Sequence, residues 1–358
     1  MTGKQRMSRI LQHQPVDRVA IYERFWSDTQ SSWAKTGKIS EMVRPARHFG
    51  FDMDEAYCFD MVADLDYEPQ VVAETEDTIT YLDGNGATLK THKHHDSTPE
   101  HIDFHVKDRE TWERDIKPKL TADPRRIDFE LYRTVRDQCA EDDRFFVMSA
   151  LQVFECMHRV CGHENLLMGM ILDPEWVADM AMTYAKLILE LQEMLFAQEG
   201  DPDGVWYYED MGYKGSPFFS PDMYKELLFP AHKLVFDAAK ERNLPIILHS
   251  CGFVEPLLPG LIEAGIDCLE AMEVKAGMDF VHLHSLYGDK LSFMGGLDVR
   301  VLCTNDRLQI DHLLQSTLPQ VMQGYNYIVQ TDHSVPSSVE YDTYQYFVNE
   351  SLRLGTYH

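Results

Sequence analysis

Apolar residues recur along this chain in two alternating rhythms. Short apolar runs of strand type take turns with longer stretches in which apolar positions return every three or four residues, the helical spacing. Strand-type runs fall at residues 19–22, 55–60, 144–150, 204–208, 244–248, 267–273, 291–295 and 327–331. Helical spacing falls at 3–13 (Met7, Ile10 and Leu11 on one face), 42–49, 108–116, 128–140, 174–198, 221–241, 254–264, 278–287, 307–323 and 339–353. The punctuation agrees. Pro15 stops the first helix, because proline cannot continue a helix and pushes Gln14 out of helical geometry. Pro45 is tolerable only near a helix start, and Asp108 is placed to cap one. Strand–helix alternation implies a parallel sheet. Eight strands, most followed by a helix, are the inventory of an α/β fold of the (β/α)8 TIM barrel type, expected as a single domain over residues 1–358. A doubly wound open sheet is the alternative. No Gly-x-Gly-x-x-Gly follows the first strand, so a Rossmann nucleotide site is not expected.

Residues 68–106 break the rhythm. Runs at 71–75, 78–82 and 87–91 read as strands, and Asp83-Gly84-Asn85-Gly86 is a strong hairpin signal. This is an antiparallel hairpin insertion in the main body. It carries His92, His94 and His95, for which an exposed polar strand is the simpler reading. Cys156, His158, Cys161 and His163 also look like a metal cluster, but their spacing fits a helix and its end and is read as structural.

Composition narrows the function. A formal charge of −26 argues against a nucleic-acid partner, because phosphate binding needs basic patches. An acidic surface otherwise mainly favours solubility. No apolar run reaches the ~18 residues of a membrane span, and the N-terminus lacks an apolar signal core. The 7 cysteines are scattered and odd in number, which suits a reducing cytoplasm better than a disulfide framework.

In a barrel of this kind the active site lies at the C-terminal ends of the strands. Ionisable residues fall there: Glu23 and Arg24, Asp60, Glu209 and Asp210, His249 and Cys251, Glu273, Asp298, Asp332 and His333. So many charges on one rim are costly unless they bind something. His249 and Cys251 stand two apart where the fifth strand ends, so both side chains point the same way. Imidazole nitrogen and thiolate sulfur are favoured zinc donors. Zinc needs three or four, and His333 and Glu273, at the ends of the eighth and sixth strands, are the remaining candidates. Tyr22, Arg24, Phe25, Trp26, Tyr208 and Asp298 are the candidate substrate-binding residues, and Glu209 and Asp60 the candidate catalytic carboxylates.

Five stretches in this order resemble the uroporphyrinogen decarboxylase superfamily. They are residues 2–18 closing on Pro-Val-Asp-Arg, Glu209-Asp210-Met211-Gly212 leading to Ser220-Pro221, and Leu248-His249-Ser250-Cys251-Gly252. Gly295-Gly296-Leu297-Asp298 and Asp332-His333-Ser334-Val335-Pro336 complete the set. The resemblance covers nearly the whole chain and independently implies a (β/α)8 barrel. Decarboxylases of the superfamily grip carboxylates with an Arg-x-x-x-Arg segment after the first strand and use no metal. Here that segment looks like residues 22–28, with Arg24 alone among Glu23, Asp28 and aromatics. The other branch comprises zinc-dependent methyltransferases that work with corrinoid proteins. They carry His-x-Cys after the fifth strand and a third ligand, often Cys, after the last. This chain matches the first half, and His333 stands near the place of the third ligand.

The resemblance therefore implies a cytoplasmic zinc methyltransferase. It would move a methyl group between a small methylated compound and a corrinoid protein that carries cobalamin and docks over the mouth. Thiols are the precedent. A methoxylated aromatic, and hence O-demethylation, suits the aromatic mouth of Phe25, Trp26 and Tyr208. Glu209 and Arg24 would orient substrate. Two alternatives remain open. One is a metal-free decarboxylase with Arg24 as the clamp and Asp60 as a proton relay. The other is a non-catalytic small-molecule binding barrel.

Overall fold

The computed structural model describes residues 1–40, 42–94 and 98–358. Eight strands form one sheet: β1 (Ala20–Ile21), β2 (Met53–Tyr57), β3 (Phe145–Leu151), β4 (Gly204–Tyr208), β5 (Ile246–Ser250), β6 (Cys268–Ala271), β7 (Ser292–Met294) and β8 (Tyr327–Val329). Their order around the sheet is β1-β8-β7-β6-β5-β4-β3-β2, with every ladder parallel. This is the expected TIM barrel, nearly closed, with helices between the strands. The strands are buried on both faces, as a parallel sheet wrapped in helices requires. All seven residues of β3 are buried.

The seam between β1 and β2 is closed by charge. The Asp52 backbone N–H donates to the Ile21 carbonyl at 2.9 Å, and the Ile21 N–H returns a bond to the Asp52 carboxylate at 2.8 Å. That carboxylate also accepts from Arg18 at 2.7 Å and from Arg6, which in turn grips Asp17 at 2.8 Å. The Pro-Val-Asp-Arg motif is thus half of a partly buried ion network that ties the first helix, Gly3–Ile10, to the barrel.

Strand boundaries shift by up to three residues from the pattern. The second strand moves from 55–60 to Met53–Tyr57, and the fifth from 244–248 to Ile246–Ser250. Pro245 has no N–H to give to a ladder. His249 instead pairs in register with Tyr208 on one side and Glu270 on the other, inside the sheet.

The insertion is a four-stranded antiparallel sheet, Gln70–Glu74, Thr78–Leu82, Ala87–His92 and Glu100–Phe104. The Asp83–Gly86 turn forms as expected, with Gly86 at φ +74. The fourth strand was not expected. It lies against the helix Val153–Leu172, which breaks at Gly162 (φ 73, ψ 159). A Cβ on Gly162 would collide with the Phe104 ring. Of the histidines noted in the insertion, His92 and His94 are exposed, and His95 lies outside the described residues.

Candidate metal centre at the barrel mouth

Two glycines let the loops after β4 and β5 touch. Gly252 has φ +80, and a Cβ there would run into the backbone of Gly212. A Cβ on Gly212 would stand 2.6 Å from the Cys251 carbonyl oxygen. This close approach carries Asp210 onto Cys251. The Cys251 N–H donates to Asp210 Oδ1 at 2.9 Å. His249 Nε2 lies 3.1 Å from the same oxygen and 3.4 Å from Cys251 Sγ. One ligand atom from each of Asp210, His249 and Cys251 lies within 4.8 Å of the other two.

Behind His249 stands Glu270. It sits directly across the β5–β6 ladder, is buried, and meets His249 Nδ1 in a short contact. A carboxylate accepts only, so Nδ1 carries the proton and Nε2 faces Asp210 and Cys251. Metal-bound histidines are held in this way by a carboxylate behind the ring. Burial pulls the His249 imidazole down, but Glu270, Cys251 and Asp210 together outweigh it and leave it well above its usual value. The mouth therefore demands a positive charge, which a proton or a cation supplies. Burial pushes the Cys251 thiol up to about 11, so its thiolate needs that cation. Imidazole nitrogen, thiolate sulfur and carboxylate oxygen in this arrangement fit zinc.

The other expected residues lie elsewhere on the rim. Glu273 sits past the end of β6 and accepts the Gly252 N–H at 2.9 Å. His333 is exposed, its Nδ1 3.3 Å from the Ser334 carbonyl oxygen and its ring 6.0 Å from that of Trp26. Among the described residues, neither joins the three-donor cluster. Glu209, next to Asp210, points the opposite way and is fully buried. Its carboxylate accepts the backbone N–H groups of Phe154 and Glu155, each at 2.9 Å, at the start of the helix Val153–Leu172. It also meets His232 Nε2 at 2.6 Å, and His232 Nδ1 lies 3.0 Å from the Tyr224 hydroxyl. Asp298 caps the helix Val299–Cys303 and pairs with Arg300. Phe25 packs into an aromatic cluster with Trp33, Phe49 and Tyr344. Asp60 borders a cavity of about 840 Å³ that Tyr57, Cys156, Arg126 and Arg159 also line.

Tyr22, Arg24 and Tyr208 do come together, around Glu55 of β2. Both tyrosine hydroxyls donate to the Glu55 carboxylate, at 3.0 and 2.7 Å, and Arg24 Nε reaches it at 3.2 Å. Burial raises the Glu55 carboxyl, but Arg24 and the hydroxyls bring it below its usual value. The Arg24 guanidinium sits over the Tyr208 ring at 4.9 Å, and that ring is 5.2 Å from His249. A polar and aromatic wall thus continues from the donor cluster. Glu55 and Glu270 had escaped notice as site residues. Their signal in the sequence is an acid inside a buried strand, which is costly unless its partners are provided.

The fold and the mouth define a class: a (β/α)8 barrel with three side chains that could hold a metal ion at the C-terminal rim of its strands. Residues 144–353, which carry all three donors, match the family model described as Uroporphyrinogen decarboxylase (URO-D). The chain belongs to that family. It is 29% identical over 160 residues to the methylated-thiol–coenzyme M methyltransferase of Methanosarcina mazei, a match covering 42% of this chain and 38% of that protein. The chain thus spans well under half the length of this curated relative. A solved methyltransferase structure from Methanosarcina mazei superposes with a TM-score of 0.66 at 14% identity, covering 98% of each chain, and shares the fold. Both are methyltransferases, the branch that the motifs resemble.

Proposed function

We propose that this protein is a zinc-dependent methyltransferase acting as one barrel domain. It moves a methyl group between a small methylated substrate and a corrinoid protein that carries cobalamin and docks over the mouth. The observation that carries the reading is the cluster of Asp210, His249 and Cys251, with Glu270 behind it. His249 and Cys251 hold the ion with Asp210, and Glu273 stands beside them on the Gly252 N–H. Bound zinc supplies a Lewis acid that keeps the demethylated sulfur or oxygen deprotonated. Glu270 keeps His249 in the tautomer that presents Nε2. Tyr208 and Tyr22 shape the substrate wall, and Arg24, held by Glu55, sets the charge beside it. Trp26 stands beside His333. Positioning is most of what these side chains contribute. Glu209 braces the strand end from behind, and Asp60 belongs to the neighbouring cavity. All 7 cysteines are free thiols, as a reducing cytoplasm would keep them.

The substrate is a thioether or an O-methyl ether. The relative's name supports the first, and the aromatic wall the second. The test is metal content of untagged protein, together with methyl transfer to a corrinoid protein from a methylated thiol and from a methoxylated aromatic. About one zinc per chain at the mouth, lost with transfer in Cys251→Ala, is the expected result. Transfer that survives metal removal and Cys251→Ala would overturn the reading.

A further inference from the structure

A second donor cluster lies outside the mouth. His101 on the inserted strand Glu100–Phe104, and His158 and His163 on the helix Val153–Leu172, each place one ring nitrogen within 4.8 Å of the other two. The break at Gly162 makes this possible. In an unbroken helix, residues five apart point in different directions. Here the His158 and His163 rings stack at 4.3 Å, with 22° between their planes. The His101 ring stands 6.1 Å from that of His158. Of the four residues the helix sequence had grouped, Cys161 turns away and donates to the Met157 carbonyl. Burial raises the Cys156 thiol well above its usual value.

His158 carries the decisive observation. It is 7% exposed, and its Nε2 lies 2.7 Å from Glu155 Oε2. The carboxylate only accepts, so Nε2 is the donor to it. The ring's Nδ1 is buried and has no hydrogen-bond partner among the described residues. A buried ring nitrogen without a partner is rare and costly. The arrangement, a carboxylate behind the ring and a bare nitrogen in front, is the one that orients a metal-binding histidine. Burial, reinforced by the neighbouring His158, holds His163 down to about 4, so its ring is neutral and has a lone pair to give. Phe218 and Phe154 wall the cluster at 4.8 and 6.0 Å from the His163 ring.

We propose that His101, His158 and His163 form a second metal site, which binds a divalent first-row transition cation through three imidazoles and leaves its fourth position open. Imidazole donors suit zinc, cobalt or nickel and discriminate against magnesium and calcium. A tetrahedral ion at 2.0–2.1 Å from each nitrogen needs the nitrogens about 3.3 Å apart, so the rings draw together on binding. The ion clamps the inserted sheet to the barrel helix. It also stands in the field of the mouth, because Asp210 acts on His163 and Glu155 acts on Asp210.

The test loads metal-free full-length protein with cobalt(II), removes excess ion by dialysis, and reads metal per chain beside the absorption spectrum. A thiolate ligand adds a sulfur-to-cobalt charge-transfer band, and three imidazoles do not, so the two sites report separately. His101→Gln lies on a partly exposed strand and leaves the barrel intact; His163→Gln is the second variant. The expected result is that each lowers the count by about one cobalt and leaves the thiolate band in place. In Cys251→Ala the band disappears and the other cobalt stays. Magnesium and calcium do not compete. Cobalt bound without a thiolate band and lost in His101→Gln would uphold this site even where the mouth binds nothing. A count and spectrum unchanged by both histidine variants would overturn it.

Discussion

The two donor clusters are built in opposite ways. At the mouth, Asp210, His249 and Cys251 project from the ends of neighbouring parallel strands, and register alone puts His249 opposite Glu270. Beside it, His101, His158 and His163 meet because a helix breaks at Gly162 and an inserted sheet presses Phe104 into the gap. The first cluster rests on the part of the fold that is hardest to deform. The second rests on a kink and on packing between two separately formed elements. Each nonetheless has a carboxylate behind a histidine, Glu270 behind His249 and Glu155 behind His158. The mouth should therefore keep its geometry when the insertion is disturbed, whereas the three-histidine cluster should not survive loss of the kink.

Three measurements would break or sharpen that contrast, and a fourth tests a buried carboxylate outside both clusters. The largest effect is expected from Glu209→Ala. It strips a fully buried carboxylate from His232 and from two helix N–H groups. Leaving a buried donor without its acceptor costs about 1–3 kcal/mol, and here several lose theirs at once. Denaturant unfolding should show that loss, and an unchanged midpoint would mean that the strand end is not braced this way. Next comes Glu270→Gln, which keeps the shape but weakens the hold on His249. Metal affinity at the mouth should fall roughly 10–100-fold, read by chelator competition, with the three-histidine site unaffected. Equal weakening of both sites would erase the distinction between them.

Gly162→Ala should cost more than ~1 kcal/mol, because alanine at positive φ is strained and its Cβ meets Phe104. It should release metal from the three histidines while the thiolate band at the mouth persists. The last measurement concerns Glu23, which lies in neither cluster. Burial pushes its carboxyl from 4.5 up to about 8, against the hydrogen bonds from Thr331 and Arg24 that lower it. The folded state then holds a proton that the unfolded state releases above about pH 4.5. Stability should accordingly fall as pH rises between about 4.5 and 8, by at most ~1.4 kcal/mol per unit. Glu23→Gln should flatten that slope; an unaltered slope would place the titration elsewhere.

Much of the barrel is readable from pattern, and the reason is local. Alternating apolar periods report which segments are strands and which are helices, and the parallel sheet follows from their alternation. The hairpin at Asp83–Gly86 follows from turn chemistry in the same local way. His249 and Cys251 stand out together because a period of two places them on one side. The strand ends at Pro245 and the missed strand Glu100–Phe104 were less legible, since ladder pairing and a partner surface set them.

Other features depend on residues far apart in the chain. Glu209 and Asp210 are adjacent acids that no local rule ranks. The contact of Gly212 with Gly252 sends one to the mouth and the other into the helix layer. Glu270 and Glu55 matter because of what lies across the ladder from them, and register is a property of two strands. His101 reaches His158 across 57 positions only because the insertion folds back on the broken helix. Periodicity along one segment carries the strand and helix inventory, because each element is made by near neighbours. The choice of which carboxylate or imidazole faces a common centre belongs to packing between elements, which fixes distance and direction at once.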